Sequence, residues 1–321
     1  MKILVTGGCG FIGSHFIEEI LKRPDVKKVI NIDCMTYASN KNLPFINNDK
    51  YKHFKINISA ECGYEFYKTS IPWKNLDYLV HFAAESHVDN SIDNPDEFIR
   101  TNINGTFNLL KWTKNSNLKK FIHVSTDEVF GSLSNIDNSF TVDSPYRPNS
   151  PYAASKAASD LLVRSYFQTY KFPAIITNCS NNYGSRQFPE KLIPLCINKL
   201  INKQPIPLYG TGKNIRDWIY VKDHVNALIS VMLDGKVGNQ YLIGGDNEIS
   251  NYTLIHSIKD IYSELTDIKV DWEWYKHVVD RKGHDFRYSI NNTDFKSEFN
   301  GFKLTEFNAA LKQTILSYIQ T

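Results

Sequence analysis

Five residues in the middle of the chain have the types and the spacing for acid and base chemistry. Thr126, Asp127 and Glu128 are consecutive, while Tyr152 and Lys156 stand four positions apart, which places both side chains on one face of a helix. We expect the lysine ammonium to lower the pKa of the phenol, so that Tyr152 can take a hydroxyl proton near neutral pH. The adjacent carboxyls would add an acid and a second base. Together these groups suit the removal of water from a sugar alongside a reversible hydride transfer.

The spacing of the tyrosine and the lysine is informative only in context. The same spacing occurs at Tyr37/Lys41, Tyr51/Lys55, Tyr64/Lys68 and Tyr209/Lys213. The pair at Tyr152 and Lys156 differs because small residues surround it and leave space for a substrate. The acidic pair is also ambiguous, since carboxylates in loops are usually solvated. It gains weight because it follows a predicted strand, at the carboxyl edge of the sheet where ligands of such folds bind.

A glycine-rich loop near the start of the chain predicts a dinucleotide site. The loop contains Gly7, Gly10 and Gly13, follows a predicted strand and begins a predicted helix. These glycines allow a tight turn and a close approach of the backbone to a pyrophosphate, while the first helical N–H groups point at it. Asp33, at the end of the second predicted strand, can accept hydrogen bonds from the adenosine ribose. A 2′-phosphate would meet its negative charge, so the sequence favours NAD over NADP.

Short apolar segments alternate with helical patterns, which is typical of a parallel sheet with helices on its faces. The predicted strands are Ile3 to Thr6, Val29 to Asp33, Leu79 to Phe82, Phe121 to Ser125 and Ala174 to Asn178, and the predicted helices are Ser14 to Lys22, Pro95 to Lys114 and Tyr152 to Tyr170. Prolines and glycines break the pattern in the later part of the chain. We therefore predict an α/β fold, with a Rossmann-type doubly wound parallel sheet in residues 1–178. Residues 179–321 are predicted to form mainly a smaller C-terminal substrate-binding domain, with some segments returning to the first domain.

The composition argues against several other classes of protein. The 321 residues carry a formal net charge of +3 with both signs interspersed, so neither a nucleic-acid partner nor a membrane partner is expected. The 5 cysteines are scattered, without a Cys-x-x-Cys or Cys/His cluster, which argues against a metal site and for a reducing compartment. We find no apolar signal segment and no membrane-length apolar run, and we expect a soluble, cytoplasmic protein.

Several separate motifs carry a family resemblance that spans nearly the whole chain. They are the glycine loop, Asp33 to Ala38, Ala83 to Asp89, Ser125 to Gly131, Ser150 to Ala157, Asn181 to Gly184, Gln187 to Pro194, Arg216 to Trp218 and Asp280 to Asp285. With these motifs the chain resembles the extended short-chain dehydrogenase/reductases that modify nucleotide sugars. Within that superfamily it is most similar to the dTDP-glucose 4,6-dehydratases and their UDP-glucose-using relatives.

The resemblance implies an NAD-dependent hydro-lyase that converts dTDP-glucose or UDP-glucose to the 4-keto-6-deoxyglucose nucleotide and water, a step toward rhamnose-type deoxysugars. Tyr152, assisted by Lys156, would take the proton of the 4-hydroxyl, which Thr126 also binds, while hydride leaves C4. Glu128 would remove the C5 proton and Asp127 would protonate the departing 6-hydroxyl, before hydride returns to C6. Asp127 must then be protonated while Glu128 is ionised, and adjacent carboxyls in a partly dry site can split their pKa values in this way.

The resemblance also implies binding residues and an assembly. Cofactor contacts fall on Gly7, Gly10, Phe11, Ile12, Gly13, Asp33, Thr36, Asn57, Ile58, Ala83, Ser86, Thr101 and Asn182, besides Tyr152 and Lys156. Substrate contacts fall on Ser86, Thr126, Asn181, Lys191, Leu192, Tyr209, Arg216, Asn251, Arg281 and His284. The two arginines suit a diphosphate, because a guanidinium fork matches phosphate oxygens. Family members are commonly homodimers, and the helices predicted at Pro95 to Lys114 and Tyr152 to Tyr170 would pair as a four-helix bundle.

Two positions depart from the family pattern. Asn57 replaces the usual Asp at the adenine end of the cofactor site, and its carbonyl could still accept a hydrogen bond from the adenine amine. Asn90 stands where the bacterial dTDP enzymes usually have Arg, whereas Arg216 to Trp218 and Gly283 to Asp285 resemble the dTDP group. The nucleotide base of the substrate, thymine or uracil, stays undecided. The two bases differ by one methyl group, and its burial is worth about 1 kcal/mol.

Two other functions use the same scaffold. A nucleotide-sugar 4-epimerase would need the tyrosine and lysine but not the acid and base at Asp127 and Glu128. A non-catalytic dinucleotide-binding protein would be expected to lose some of the five reactive residues, and the sequence retains all of them.

Overall fold

A seven-stranded parallel sheet, in the order β10-β6-β5-β4-β1-β2-β3, forms the centre of the fold. The structure is a computed structural model that describes residues 1–60 and 71–320; Cys62 and the Tyr64/Lys68 pair lie outside the described residues. The strands of the central sheet are β1 (Lys2–Thr6), β2 (Lys28–Asp33), β3 (Tyr51–Lys55), β4 (Tyr78–His81), β5 (Lys120–Thr126), β6 (Ala174–Cys179) and β10 (Gln240–Ile243). Smaller sheets contain β7 (Asn181–Tyr183), β8 (Ile206–Tyr209), β9 (Ile215–Tyr220), β11 (Glu248–Ser250) and β12 (Tyr275–Val278).

The apolar runs in the sequence become the inner strands of this sheet. Residues of β1, β4 and β6 are almost entirely buried, as expected for parallel strands that are covered on both faces. All five predicted strands and the predicted doubly wound α/β fold are confirmed. The sequence analysis did not predict β3 or β10. Strand β3 is a polar edge strand without a continuous apolar run, and β10 lies far along the chain from its neighbour β6.

The helices are α1 (Phe11–Leu21), α2 (Val88–Asp93), α3 (Pro95–Phe98), α4 (Thr106–Thr113), α5 (Pro151–Tyr170), α6 (Leu192–Ile201), α7 (Val221–Asp234), α8 (Asn251–Thr266), α9 (Thr293–Glu298) and α10 (Phe307–Ile319). Local sequence explains the limits of α5. The Ser150 hydroxyl accepts from the Ala153 N–H at 3.1 Å, and Pro151 occupies the first turn, where its missing N–H costs nothing. The helix ends where Lys171 adopts the left-handed conformation, with φ of 56°.

The helix predicted over Pro95 to Lys114 is interrupted by a π-helical segment, Ile99–Gly105, between α3 and α4. The wider turn accompanies an inward-facing Asn102. Its amide accepts from the Glu85 N–H at 2.9 Å and donates to the Glu85 carbonyl at 3.0 Å and to the Ser155 hydroxyl at 2.8 Å. The π segment therefore ties the loop after β4 to α5, and such segments are frequent at functional sites.

The later part of the chain packs against the central sheet rather than apart from it. Strand β9 pairs with β7 and β11, whereas β10 joins the central sheet beside β6. The largest apolar core includes Ile17 of α1 together with Val225 of α7. The division after residue 178 stays a prediction. Among residues 1–60 and 71–320, none of the helices combines the length and the apolar character required to span a bilayer.

Candidate active site

A cavity of about 310 Å³ at the carboxyl edge of the central sheet brings most of the predicted site residues together. Parallel strands end at the same edge, so loops that are distant in sequence meet there. The predicted residues that line it are Gly7, Gly10, Phe11, Ile12, Gly13, Asp33, Thr36, Asn57, Ile58, Ala83, Ser86, Thr101, Thr126, Asp127, Glu128, Tyr152, Lys156, Asn181, Asn182 and Lys191.

The glycine loop fills one end of the cavity. Gly7 has a φ of 70°, and a Cβ at Gly13 would lie 2.4 Å from the Gly7 carbonyl oxygen, so neither position accepts a side chain without movement. Gly10 precedes α1 and provides no side-chain cap for its N-terminus. The first N–H groups of α1 are therefore available to an anion in the cavity, as a pyrophosphate requires.

Asp33 is oriented by the backbone of two loops. One carboxylate oxygen accepts from the Cys9 N–H at 2.9 Å, and the other accepts from the Met35 N–H at 2.8 Å. A carboxylate has about four acceptor sites, so this residue can still accept from a ribose hydroxyl. The glycine cradle and this carboxylate together fit NAD.

Asn57 lines the cavity in a different way from that predicted. Its carbonyl oxygen accepts from the Ser59 N–H at 2.9 Å and from the Ser59 hydroxyl at 2.8 Å. These two hydrogen bonds use both lone pairs of the Asn57 oxygen. The same oxygen was predicted to accept a hydrogen bond from the adenine amine. In this arrangement the Asn57 group with spare capacity is the amide N–H₂.

Thr126 is the last residue of β5, and Asp127 and Glu128 begin the short 3-10 turn that follows it (Asp127–Phe130). The Thr126 hydroxyl donates to one Asp127 carboxyl oxygen at 3.3 Å and accepts from the Glu128 N–H at 3.3 Å. Asp127 is 1% exposed, and its other carboxyl oxygen has no hydrogen-bond partner among the described residues. A buried carboxyl with one oxygen lacking a hydrogen-bond partner is suited to hold a proton and to form a hydrogen bond with a ligand.

The two carboxyls experience different electrostatic surroundings. Burial raises the pKa of Asp127 well above its usual value, and the negative charges of Glu128 and Asp217 raise it further. Burial also raises the pKa of Glu128, but the positive charges of Arg281, Lys191 and Arg216 oppose that effect. The pKa of each carboxyl is raised, but three cations oppose the rise at Glu128, so Asp127 is the carboxyl more strongly favoured to hold a proton. This is the direction required for an acid at the first position and a base at the second.

The expected effect of Lys156 on Tyr152 is wrong in this structure. The Lys156 ammonium donates to the Val124 carbonyl at 2.9 Å. Burial raises the pKa of the Tyr152 phenol well above its usual value, the negative charge of Glu128 raises it further, and a hydrogen bond with Thr126 lowers it. Burial also lowers the pKa of Lys156. The helical spacing does bring both side chains to the cavity, but burial is the largest influence on the pKa of each.

A second group of predicted residues is absent from the cavity lining; these are Leu192, Tyr209, Arg216, Asn251, Arg281 and His284. Two of them form a ring pair, in which Tyr209 and His284 meet edge to face at 6.3 Å between ring centroids. Asn251 and Arg281 each have a buried polar atom, Oδ1 and Nε, without a hydrogen-bond partner among the described residues. Leu192 is the first residue of α6.

Arg216 was predicted to contact a diphosphate, but its guanidinium is largely occupied within the protein. It stacks on the Tyr288 ring at 4.2 Å and is 4% exposed. Its Nη atoms donate to the carbonyls of Ile215, Asp285 and Phe286 at 2.8 to 3.3 Å. Its charge still lowers the pKa of Asp127 and Glu128, so it lies close enough to act on the acidic pair.

Several residues without a predicted role also line the cavity; they include Glu85, Cys179, Gln187, Phe188 and Glu190. Three of these lie in the segment from Gln187 to Pro194, which carried the family resemblance without a role for each residue. Cys179 ends β6 beside Ser125, and its position at a strand end was the signal that could have identified it. Glu85 lies in the segment from Ala83 to Asp89, which also carried the family resemblance without a role for each residue.

Comparison with known proteins agrees with this geometry. A family model described as GDP-mannose 4,6 dehydratase matches residues 4–314. The dTDP-glucose 4,6-dehydratase of Neisseria gonorrhoeae is 42% identical over 334 residues, which cover 99% of this chain and 95% of that protein. The dTDP-glucose 4,6-dehydratase DesIV of Streptomyces venezuelae, solved with NAD bound, has a TM-score of 0.92 and 39% identity, and the match covers 100% of this chain and 97% of that one.

The epimerases share the scaffold at lower identity. The UDP-glucose 4-epimerase of Thermotoga maritima, solved with UDP-glucose, has a TM-score of 0.88 and 25% identity, and the match covers 100% of this chain and 99% of that one. The chain is less similar to this epimerase, at 25% identity, than to the dehydratases, at 39% and 42%. The chain belongs to the NAD-dependent nucleoside-diphosphate-glucose 4,6-dehydratase family, within the extended short-chain dehydrogenase/reductases.

Proposed function

We propose that this protein is a hydro-lyase that converts dTDP-glucose or UDP-glucose to the 4-keto-6-deoxyglucose nucleotide and water. The observation that carries the proposal is the placement of the carboxyl pair Asp127 and Glu128 in the same cavity as Tyr152 and the glycine loop. Oxidation and reduction at C4 alone would require neither group. Elimination of water requires both, because a proton must leave C5 while another reaches the departing hydroxyl.

The side chains divide the reaction between them. NAD, when bound, supplies the reversible hydride acceptor that makes C4 a ketone during the cycle. Tyr152 takes the proton of the 4-hydroxyl as a phenolate, a form that the hydrogen bond with Thr126 favours against the effect of burial on its pKa. The Thr126 hydroxyl binds the same 4-hydroxyl oxygen. The ketone acidifies the hydrogen on C5, which Glu128 removes. Asp127 donates its proton to the 6-hydroxyl, and that oxygen leaves as water. Return of the hydride to C6 and of a proton from Glu128 to C5 then completes the 4-keto-6-deoxy sugar.

The nucleotide of the substrate would lie between the cavity and the second group of predicted residues. Lys191 lines the cavity, and its ammonium donates to the Ser86 carbonyl at 2.7 Å. Arg281 lies 3.5 Å from Asp89 and retains a buried Nε without a hydrogen-bond partner among the described residues. These cations suit a diphosphate. The Tyr209 and His284 rings offer an apolar surface to a pyrimidine, which both thymine and uracil could use.

We also propose a cytoplasmic homodimer. Four large apolar side chains, Ile99, Phe107, Leu161 and Tyr170, are exposed on the π segment, α4 and α5. Pairing of these helices with a second copy would form a four-helix bundle and cover them. The cytoplasmic location is supported by the cysteines at positions 9, 34, 179 and 196, which are free thiols.

The experiment that tests the function is mass spectrometry of the protein incubated separately with dTDP-glucose and UDP-glucose and a trace of NAD. We expect a product that is lighter than the nucleotide sugar by one water. The nucleotide sugar that reacts faster identifies whether the substrate carries thymine or uracil. The control is the Asp127→Asn, Glu128→Gln double variant, which should retain cofactor binding and form no dehydrated product. A product of unchanged mass with inverted C4 would instead identify a 4-epimerase. Cofactor binding without turnover of either sugar would indicate a binding protein.

A further inference from the structure

A buried polar cluster lies behind the reactive face of α5. Its members are His123 on β5, Tyr146 before α5, Ser159 and Asp160 on α5, Asn178 on β6 and Gln240 on β10. Asp160 is fully buried, yet its carboxylate has several partners. One oxygen accepts from the Tyr146 hydroxyl at 3.0 Å and from the Asn178 amide at 3.1 Å. The other oxygen lies 3.1 Å from Nε2 of His123.

Asn178 connects this cluster to the reactive loop. Its amide nitrogen donates both to the Asp160 carboxylate and, at 3.0 Å, to the carbonyl of Thr126. Its own carbonyl accepts from Gln240 at 2.8 Å, which fixes the orientation of the amide. Thr126 ends β5, so two hydrogen bonds join the Asp160 carboxylate to the backbone from which the reactive carboxyls project.

The Lys156 side chain is buried, so water does not stabilise its positive charge. It lies one helical turn before Asp160 and is 4% exposed. The other titratable groups around it are Tyr152 on the same helix, Cys179 on β6, His123 on β5 and His81 on β4. Burial lowers the pKa of both histidines, so they are neutral. Asp160 is the carboxylate of this set and lies four positions after Lys156 on α5, where its negative charge raises the pKa of the ammonium against the effect of burial. A buried ammonium requires such a charge nearby.

We propose that Asp160 is a positioning residue for the dehydration, acting as the internal counter-ion of Lys156 and, through Asn178, as the support of the Thr126 backbone. The inference rests on the proposed function. Two consequences separate it from a purely structural role. The ammonium form of Lys156 should depend on the charge of Asp160, and removing that charge should affect turnover more than substrate binding.

The first test is the pH profile of water loss in Asp160→Asn, which retains the shape of the side chain and removes its charge. Without the carboxylate, Lys156 loses its proton at lower pH, so the alkaline limb of kcat should move down by about one pH unit or more. At pH 8, kcat should fall by about tenfold while KM changes by less than about threefold. The control is Tyr146→Phe, which removes a hydrogen bond to the same carboxylate and should leave the alkaline limb in place.

The outcomes distinguish this inference from the function on which it rests. Dehydration by the unmodified protein together with an unchanged profile in Asp160→Asn would overturn the role of Asp160 alone. Absence of dehydration by the unmodified protein would overturn the proposed function instead.

A second test is independent of activity and of whether Asp160→Asn folds well. Melting temperatures are compared for Lys156→Met and for the Lys156→Met, Asp160→Asn double variant. Lys156→Met leaves the Asp160 carboxylate buried without its cation, whereas the double variant contains neither charge. The counter-ion role therefore expects the double variant to melt at a higher temperature than Lys156→Met. A lower melting temperature for the double variant would contradict it.

Discussion

The Lys156 ammonium donates a 2.9 Å hydrogen bond to the Val124 carbonyl, and this bond joins the helix and the strand that carry the reactive groups. Val124 lies in β5 shortly before Thr126, and Lys156 lies one turn after Tyr152 on α5. Movement of the helix relative to the strand would separate Tyr152 from Thr126. In this structure the lysine therefore aligns the two elements, besides placing a positive charge near the phenol.

Replacement of Glu128 by Gln should separate oxidation from elimination. The amide cannot take the C5 proton, whereas Tyr152 and Lys156 still act at the 4-hydroxyl. We expect product formation to fall by at least about 100-fold, with accumulation of reduced cofactor on addition of substrate. Absorbance of the reduced nicotinamide and product analysis measure the two steps. The exposed Asp96→Asn serves as the control, and an unchanged product rate in Glu128→Gln would refute its role as the base.

Asp127 should make the folded protein less stable as the pH rises. Burial raises the pKa of Asp127 in the folded state above its value in the unfolded chain. The stability that depends on the protonated carboxyl is fully present below the unfolded pKa. It is lost as the pH rises through the folded-state pKa. Asp127→Asn has no carboxyl to ionise. We expect this variant to melt about 2 °C or more above the unmodified protein at pH 8, with a smaller difference near pH 4. The exposed Asp49→Asn should show no such dependence on pH.

Gly13→Ala should damage the cofactor loop more than Gly10→Ala. A Cβ at Gly13 would lie 2.4 Å from the Gly7 carbonyl oxygen, whereas a Cβ at Gly10 would lie 3.2 Å from it. We expect Gly13→Ala to cost about 1–3 kcal/mol of unfolding free energy and Gly10→Ala to cost less. Denaturant unfolding without NAD measures the difference. Equal costs would mean that the loop relaxes around either methyl.

The charge of Asp33 should set the preference for NAD over NADP. Asp33→Asn keeps one acceptor oxygen, so it can still accept from one of the N–H groups of Cys9 and Met35, but it no longer repels a 2′-phosphate. Asp33 is buried, so removal of its charge at about 4 Å from the phosphate is worth at least the roughly 1 kcal/mol expected in water, and the ratio of the two dissociation constants should shift at least about fivefold toward NADP. Titration with both cofactors measures that ratio. A preserved preference would show that steric contacts, rather than charge, exclude the phosphate.

The proposed dimer depends on the exposed apolar face of α5. Leu161 is 57% exposed on that helix, and Leu161→Glu would place a charge in the bundle. We expect this variant to elute as a monomer in size-exclusion chromatography with light scattering. Ile136→Glu is a matched control, since Ile136 is 93% exposed in a loop outside these helices. Dissociation of both variants, or of neither, would place the interface elsewhere.

Local signals in the sequence were sufficient for much of the fold and for one end of the site. Apolar runs such as Ile3 to Thr6 predict parallel strands, because strands covered on both faces have no polar side. The strand, glycine loop and helix at Gly7 to Gly13 predict the dinucleotide cradle, since each glycine meets a local steric requirement. Polar edge strands carry no such signal, and β3 was not predicted for that reason.

By itself, then, the sequence determined the α/β class and the dinucleotide loop, and it predicted the five candidate reactive side chains. Only the tertiary structure decided how those side chains ionise, because pKa values depend on burial and on charges that are distant along the chain. It raised the pKa of Tyr152 where helical spacing predicted a lower one, and it placed Asp217 and Arg216 beside the acidic pair. It also buried Asp160 against His123 and Asn178, a contact among three elements that no local pattern encodes.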